Sequence, residues 1–184
     1  MRSRPRLIAA FGIAAALAAA PALGAGLSSP RLGRPATAAE IAAADISIAP
    51  DGANLPPGQG SVAAGAAVFQ AKCQSCHGAA GAGGPMDRLT GGIGTLRSAA
   101  RIVTVASYWP YATTLFDYVR RAMPLNAPRS LSDEETYALV AYLLSVDGIV
   151  GQDAVMDART LPQVRMPNRD GFVSTEAKGF RGGR

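Results

Sequence analysis

Apolar residues recur at helical spacing in three stretches of the chain. Val62, Gly65, Ala66 and Phe69 fall on one face of a segment that Ser61 can cap and that runs through Lys72. After Pro110, the positions Ala112, Leu115, Phe116, Val119 and Ala122 make a second stripe. That helix is expected to stop at Met123-Pro124, because proline disfavours helix in the residue before it. The third stretch is the best signalled. Ser132 and Glu135 form a capping box, Asp133 and Glu134 suit the positive helix end, Leu139, Val140, Tyr142, Leu143 and Val146 are apolar, and Gly148 ends it. No strand pattern of any length is apparent, so the expectation is an all-α domain over 61–148.

Two flanks surround it. Residues 25–60 read as an extended N-terminal arm rich in Pro, Gly and Ala, with helical character only over Thr37–Ala44, where Thr37 and Glu40 could form a capping box, and with Ile41, Ile46, Ile48 and Leu55 as apolar anchors. Residues 149–184 form an extended tail in which Val155, Met156, Leu161, Val164, Met166, Phe172 and Phe180 supply anchors that a disordered segment would lack. Order is expected to Val173, with Arg165 and Arg169 oriented by acidic groups. Removal of the tail beyond Leu161 is expected to leave the spectroscopic properties of the domain over 61–148 nearly intact.

The amino terminus changes the reading of charge. Arg2, Arg4 and Arg6, an uncharged run from Leu7 to Ala20 and small residues before Gly24 have the layout of an export signal over 1–24. Its alanine-rich run partitions weakly into lipid, so no stable membrane span is expected after cleavage. Loss of three arginines lowers the formal charge from +5 to about +2, and no basic stripe for nucleic acid survives.

The chemistry concentrates in Cys73-Gln74-Ser75-Cys76-His77, which holds both cysteines and the one histidine. Cysteines three apart share a helix face, and C-x-x-C-H is the spacing for one haem c attached by two thioethers with the next residue as iron ligand. A structural zinc site needs four ligands, a thioredoxin-like pair needs a βαβ context, and a disulfide at this spacing is awkward in a helix. With one histidine, the second axial ligand is a methionine or is absent. Met123, held at a helix end by Pro124, is the first candidate and Met166, before Pro167, the alternative. Met86 lies too close to His77 in sequence to pass round the ring. The other His77 ring nitrogen is expected to donate to the carbonyl of Pro85. Tyr108, Trp109 and Tyr111 are candidates for the haem edge, Trp109 through its indole N–H.

The pattern Gly65-x-x-x-Phe69-x-x-x-Cys73-x-x-Cys76-His77, with Met123-Pro124 and Leu139-x-x-Tyr142 downstream, resembles the class I cytochromes c. That resemblance implies a helical haem-wrapping fold in which Gly65 and Phe69 meet Leu139 and Tyr142. Leu32-Gly33-Arg34-Pro35-Ala36-Thr37, the run Tyr108–Tyr118 and Met166–Phe172 are similar to the cytochrome c subunits of bacterial sulfite and sulfane dehydrogenases. This implies a periplasmic electron-transfer subunit, not itself the site of substrate chemistry, that takes electrons from a molybdenum-containing subunit and passes them to a downstream carrier. One departure is that sulfane dehydrogenase cytochromes usually carry two haems, whereas this chain has a single attachment motif. The competing readings are a haem enzyme or gas sensor with an open site, and a generic soluble shuttle.

Overall fold

A computed structural model describes residues 32–172. The expected export signal over 1–24 and the polar end from Ser174 lie outside them. Of the described residues, those from Ala39 onward form one compact unit. Its elements are α1 (Ala38–Ala44), β1 (Gln59–Ser61), α2 (Val62–Lys72), α3 (Gln74–His77), α4 (Val105–Tyr108), α5 (Ala112–Ala122), α6 (Asp133–Val146) and β2 (Val155–Asp157), with short 3-10 turns at Ala79–Gly81 and Leu161–Gln163.

The three long helices form where the sequence places them, and their caps explain why. The Ser61 hydroxyl accepts the N–H of Ala64. Ser132 and Glu135 close a reciprocal capping box, worth about 1 kcal/mol. α5 ends at Met123 in extended backbone immediately before Pro124.

α2 and α6 pack against each other along their length. They approach so closely at Gly65 that a Cβ there would collide with the carbonyl of Ala138 and lie 2.8 Å from the Tyr142 Cβ. Glycine thus sets the helix separation, and Phe69 fills the next turn with its ring 5.2 Å from that of Tyr142. The expected pairing of α2 with α6 is present, with Ala138 and Tyr142 as the residues that Gly65 meets. Phe116 and Tyr137 join α5 to α6 at 4.4 Å between ring centroids.

Two features depart from the expectation. A two-stranded antiparallel sheet pairs Gly60 with Met156, joining the arm to the tail. Three residues per strand are too few for an alternating pattern to register, and one of them is a glycine. α4 is likewise too short for periodicity, although Thr104 and Ser107 form a capping box.

Both flanks belong to the core. Ile48 and Leu55 from the arm pack on it, while Ile41 is exposed. Leu161 and Met166 from the tail are fully buried in it.

Candidate functional site

Cys73 ends α2 and caps α3, so the two cysteines straddle the junction between these helices. The Cys73 carbonyl accepts the N–H of Cys76 at 3.1 Å and of His77 at 3.0 Å, which winds the motif into a single turn. Cys73 is half-buried and Cys76 exposed, and both are free thiols. Burial pushes the Cys73 thiol up to about 11, Lys72 opposing and Cys76 adding to the shift. A reactive redox cysteine needs its pKa lowered, so this environment does not suit a dithiol catalyst. Among the described residues no group of three His, Cys, Asp or Glu converges to hold a metal ion.

The loop after the motif folds back under it. Gly84 sits where a Cβ would collide with the Cys76 carbonyl, and the N–H of Met86 donates to that same carbonyl at 2.9 Å. His77 Nδ1 lies 2.7 Å from the carbonyl oxygen of Asp87. The expected acceptor was Pro85, and the structure corrects it. In the peptide joining Pro85 to Met86 the N–H is turned toward Cys76, so the carbonyl of Pro85 points the opposite way. As Nδ1–H donates to Asp87, Nε2 keeps its lone pair free as an iron ligand. Two thiols on one turn and an imidazole with only Nε2 available match the donor set that haem c requires.

The remaining candidates are distributed as follows. Met123 is the half-buried C-cap of α5 and packs against the core. Met166 is 1% exposed within that core, so presenting its sulfur to an iron would require the core to open. Met86 is held on the histidine side of the motif by its bond to Cys76. Trp109 caps α4, packs on the core and meets Tyr118 edge-on at 5.6 Å. Tyr108 and Tyr111 are engaged by the tail. Phe172 stacks edge-on against Tyr108 at 5.2 Å, Asn168 Nδ2 donates to the Tyr108 carbonyl at 2.6 Å, and the Arg169 guanidinium lies 4.4 Å above the Tyr111 ring. Arg165 does pair with an acid, Asp170, at 3.0 Å, whereas Arg169 takes an aromatic face instead.

Asp87 was not legible in the sequence, because a backbone carbonyl carries no side-chain signature. Its place two residues after a proline in the glycine-rich loop was the available signal.

The family model described as cytochrome c matches residues 62–147. A chain in the crystal structure of the sulfane dehydrogenase SoxCD from Paracoccus pantotrophus is similar at 42% sequence identity with a TM-score of 0.73, the match covering 78% of this chain and 71% of that one. No curated protein matches.

Proposed function

The chain belongs to the cytochrome c family, whose members carry covalently bound haem c and transfer electrons, and on that premise we propose a mono-haem periplasmic cytochrome that serves a sulfite- or sulfane-oxidising molybdenum enzyme. Cys73 and Cys76 would hold the haem by thioethers, and His77 Nε2 and Met123 would be the protein's ligands to its iron. The haem supplies a one-electron ferric/ferrous couple. The protein's own part is to fix the imidazole through Asp87, to keep water from the ring and to bring its edge to a partner. Electrons arrive singly from the molybdenum subunit and leave to a downstream carrier.

The observation that carries this reading is the 2.7 Å contact between His77 Nδ1 and the Asp87 carbonyl, directly after two thiols on the same turn. A histidine held in this way is a ligand already oriented. The similarity to SoxCD supports a sulfane dehydrogenase as the partner, and the export-signal pattern supports the periplasm. Among the described residues no helix is long and apolar enough to cross a membrane.

Covalent haem staining on a denaturing gel tests the attachment. The double variant Cys73→Ser/Cys76→Ser should give no stain, and full staining would remove the assignment. Co-purification from the native periplasm with molybdenum analysis tests the partner. Carbon monoxide tests the distal ligand, since rapid tight binding to the reduced protein at neutral pH would favour an open site.

A further inference from the structure

The C-terminal end of α6 breaks a local rule. A helix carries partial negative charge at that end and favours cations there. The last turn of α6 has no basic residue, and its cap is Asp147. One carboxylate oxygen of Asp147 is buried with no hydrogen-bond partner, an arrangement that ordinarily costs about 1–3 kcal/mol. The other, Oδ1, accepts the N–H of Gly91 at 2.6 Å. A site that violates local preference is expected to serve something elsewhere, and the Gly91 contact shows where.

Gly91, at φ +81°, closes the segment 86–91 that carries the Asp87 carbonyl to the His77 ring. The segment is fixed at several points along its length. Met86 N–H donates to the Cys76 carbonyl at 2.9 Å, Leu89 N–H to Gly81 at 2.8 Å, and Thr90 Oγ1 to Ala80 at 2.8 Å. At Gly91 the Thr104 hydroxyl donates to the carbonyl at 2.6 Å while Asp147 takes the N–H. Asp147 thus ties the end of the segment to the half-buried terminus of α6. A charge-assisted bond is about twice as strong as a neutral one, which accounts for a carboxylate here despite the wrong dipole.

We infer that Asp147 is a positioning residue for His77, holding Gly91 so that the Asp87 carbonyl stays within hydrogen-bond distance of Nδ1 and the imidazole remains a strong donor. The inference rests on the reading of His77 as the proximal ligand. Loosening the anchor lengthens the Nδ1–Asp87 bond, weakens imidazole donation and destabilises the ferric state, so the reduction potential rises.

The test compares haem-loaded wild type with Asp147→Ala, Asp147→Asn and a core control, Leu161→Ala, distant in sequence from the segment. Proton NMR of the ferric protein reads exchange of the His77 ring N–H, and voltammetry reads the potential. Asp147→Ala should accelerate exchange about tenfold and raise the potential. Asp147→Asn, which keeps an oxygen acceptor for Gly91 without the charge, should give exchange between that of wild type and that of Asp147→Ala, and Leu161→Ala should change neither quantity. Equal effects of Ala and Asn would assign the result to charge and overturn the positioning role. So would wild-type exchange in Asp147→Ala, or an equal acceleration in the core control. Should Asp147→Ala not load haem, Asp147→Glu replaces it, keeping the charge and displacing the acceptor: accelerated exchange supports the role and wild-type exchange overturns it. Absence of haem-shifted His77 ring signals in the wild type would instead sink the ligand assignment itself, so the two failures are distinct.

Discussion

Replacing Gly65 with alanine should destabilise the haem-loaded protein by a net ~2 kcal/mol or more. The added Cβ meets no flexible side-chain end. It meets the Ala138 carbonyl group, whose carbon lies at 2.5 Å, and the Tyr142 Cβ at 2.8 Å. Restoring ordinary contact therefore requires α2 and α6 to separate by about 1 Å, and a gap of that size forfeits a quarter to a half of each dispersion contact along the interface. The strain typical of overpacking is about 1–3 kcal/mol. The Phe69–Tyr142 ring pair, at 5.2 Å, stands to lose a further ~0.5–1.5 kcal/mol. Against this, alanine gains about 1 kcal/mol of helix propensity over glycine. For a chain of this length the net loss lowers Tm by roughly 4–8 °C, read by far-ultraviolet circular dichroism. Gly151→Ala is the control, because nothing lies within 4 Å of a Cβ at that position. If Gly65→Ala melts with or above Gly151→Ala, the glycine is not what sets the helix separation.

The two methionines should separate cleanly. Met123→Ala is expected to abolish the weak red ferric band that reports iron–sulfur ligation and to lower the potential, while Met166→Ala keeps the band and loses about 2–5 kcal/mol of stability as a core deletion. Tyr137 gives a pH dependence. Its hydroxyl donates to the Pro56 carbonyl at 2.8 Å and burial pushes the phenol up to about 12, with Asp133 and Asp157 adding. The unfolded chain then releases this proton first, near 10, so stability should fall as pH rises from about 10 to 12, and that fall should be absent in Tyr137→Phe. In the tail, Asn168→Ala with Arg169→Ala should cost about 1–2 kcal/mol, through the bond to Tyr108 and the cation over Tyr111. An unchanged denaturation midpoint would show those contacts to be incidental.

How much of the molecule could be read in advance depended on whether a feature is written in side chains. α2, α5 and α6 were legible to within a residue or two because each has both an apolar stripe and a terminating device: Ser61, the Ser132–Glu135 box, Met123-Pro124. α3 and α4 were not, since four residues cannot show a period. The Cys73–His77 motif was fully legible, but its support was not. The ring of His77 is held by a carbonyl, and Gly91 is held through its N–H; every residue has both groups, so nothing in the sequence distinguishes Asp87 or Gly91 as partners. The tail showed the same limit. Its apolar anchors announced order, yet Leu161 and Met166 are buried while Val155 and Phe172 are exposed, a division set by how the chain returns to the core.

That return alters what the flanks are for. α5 has a polar side that α6 does not cover, and the arm bonds to it directly. Asp117 Oδ1 accepts the N–H of Ile48 at 3.0 Å, and Thr113 Oγ1 donates to the Pro50 carbonyl at 3.3 Å. The tail grips Tyr108 and Tyr111, the residues that lead into α5. β1 and β2 then tie arm to tail. The helix whose last cap is the proposed axial Met123 is therefore braced along its length by the arm and at its entrance by the tail. Removal of the tail beyond Leu161 takes away Met166 and both grips together. The expectation that this would spare the haem spectrum is revised: the iron–sulfur band should weaken along with stability. A minimal domain over 61–148 would lack that bracing, so the flanks act on the helix that ends at the proposed ligand before they act on any partner.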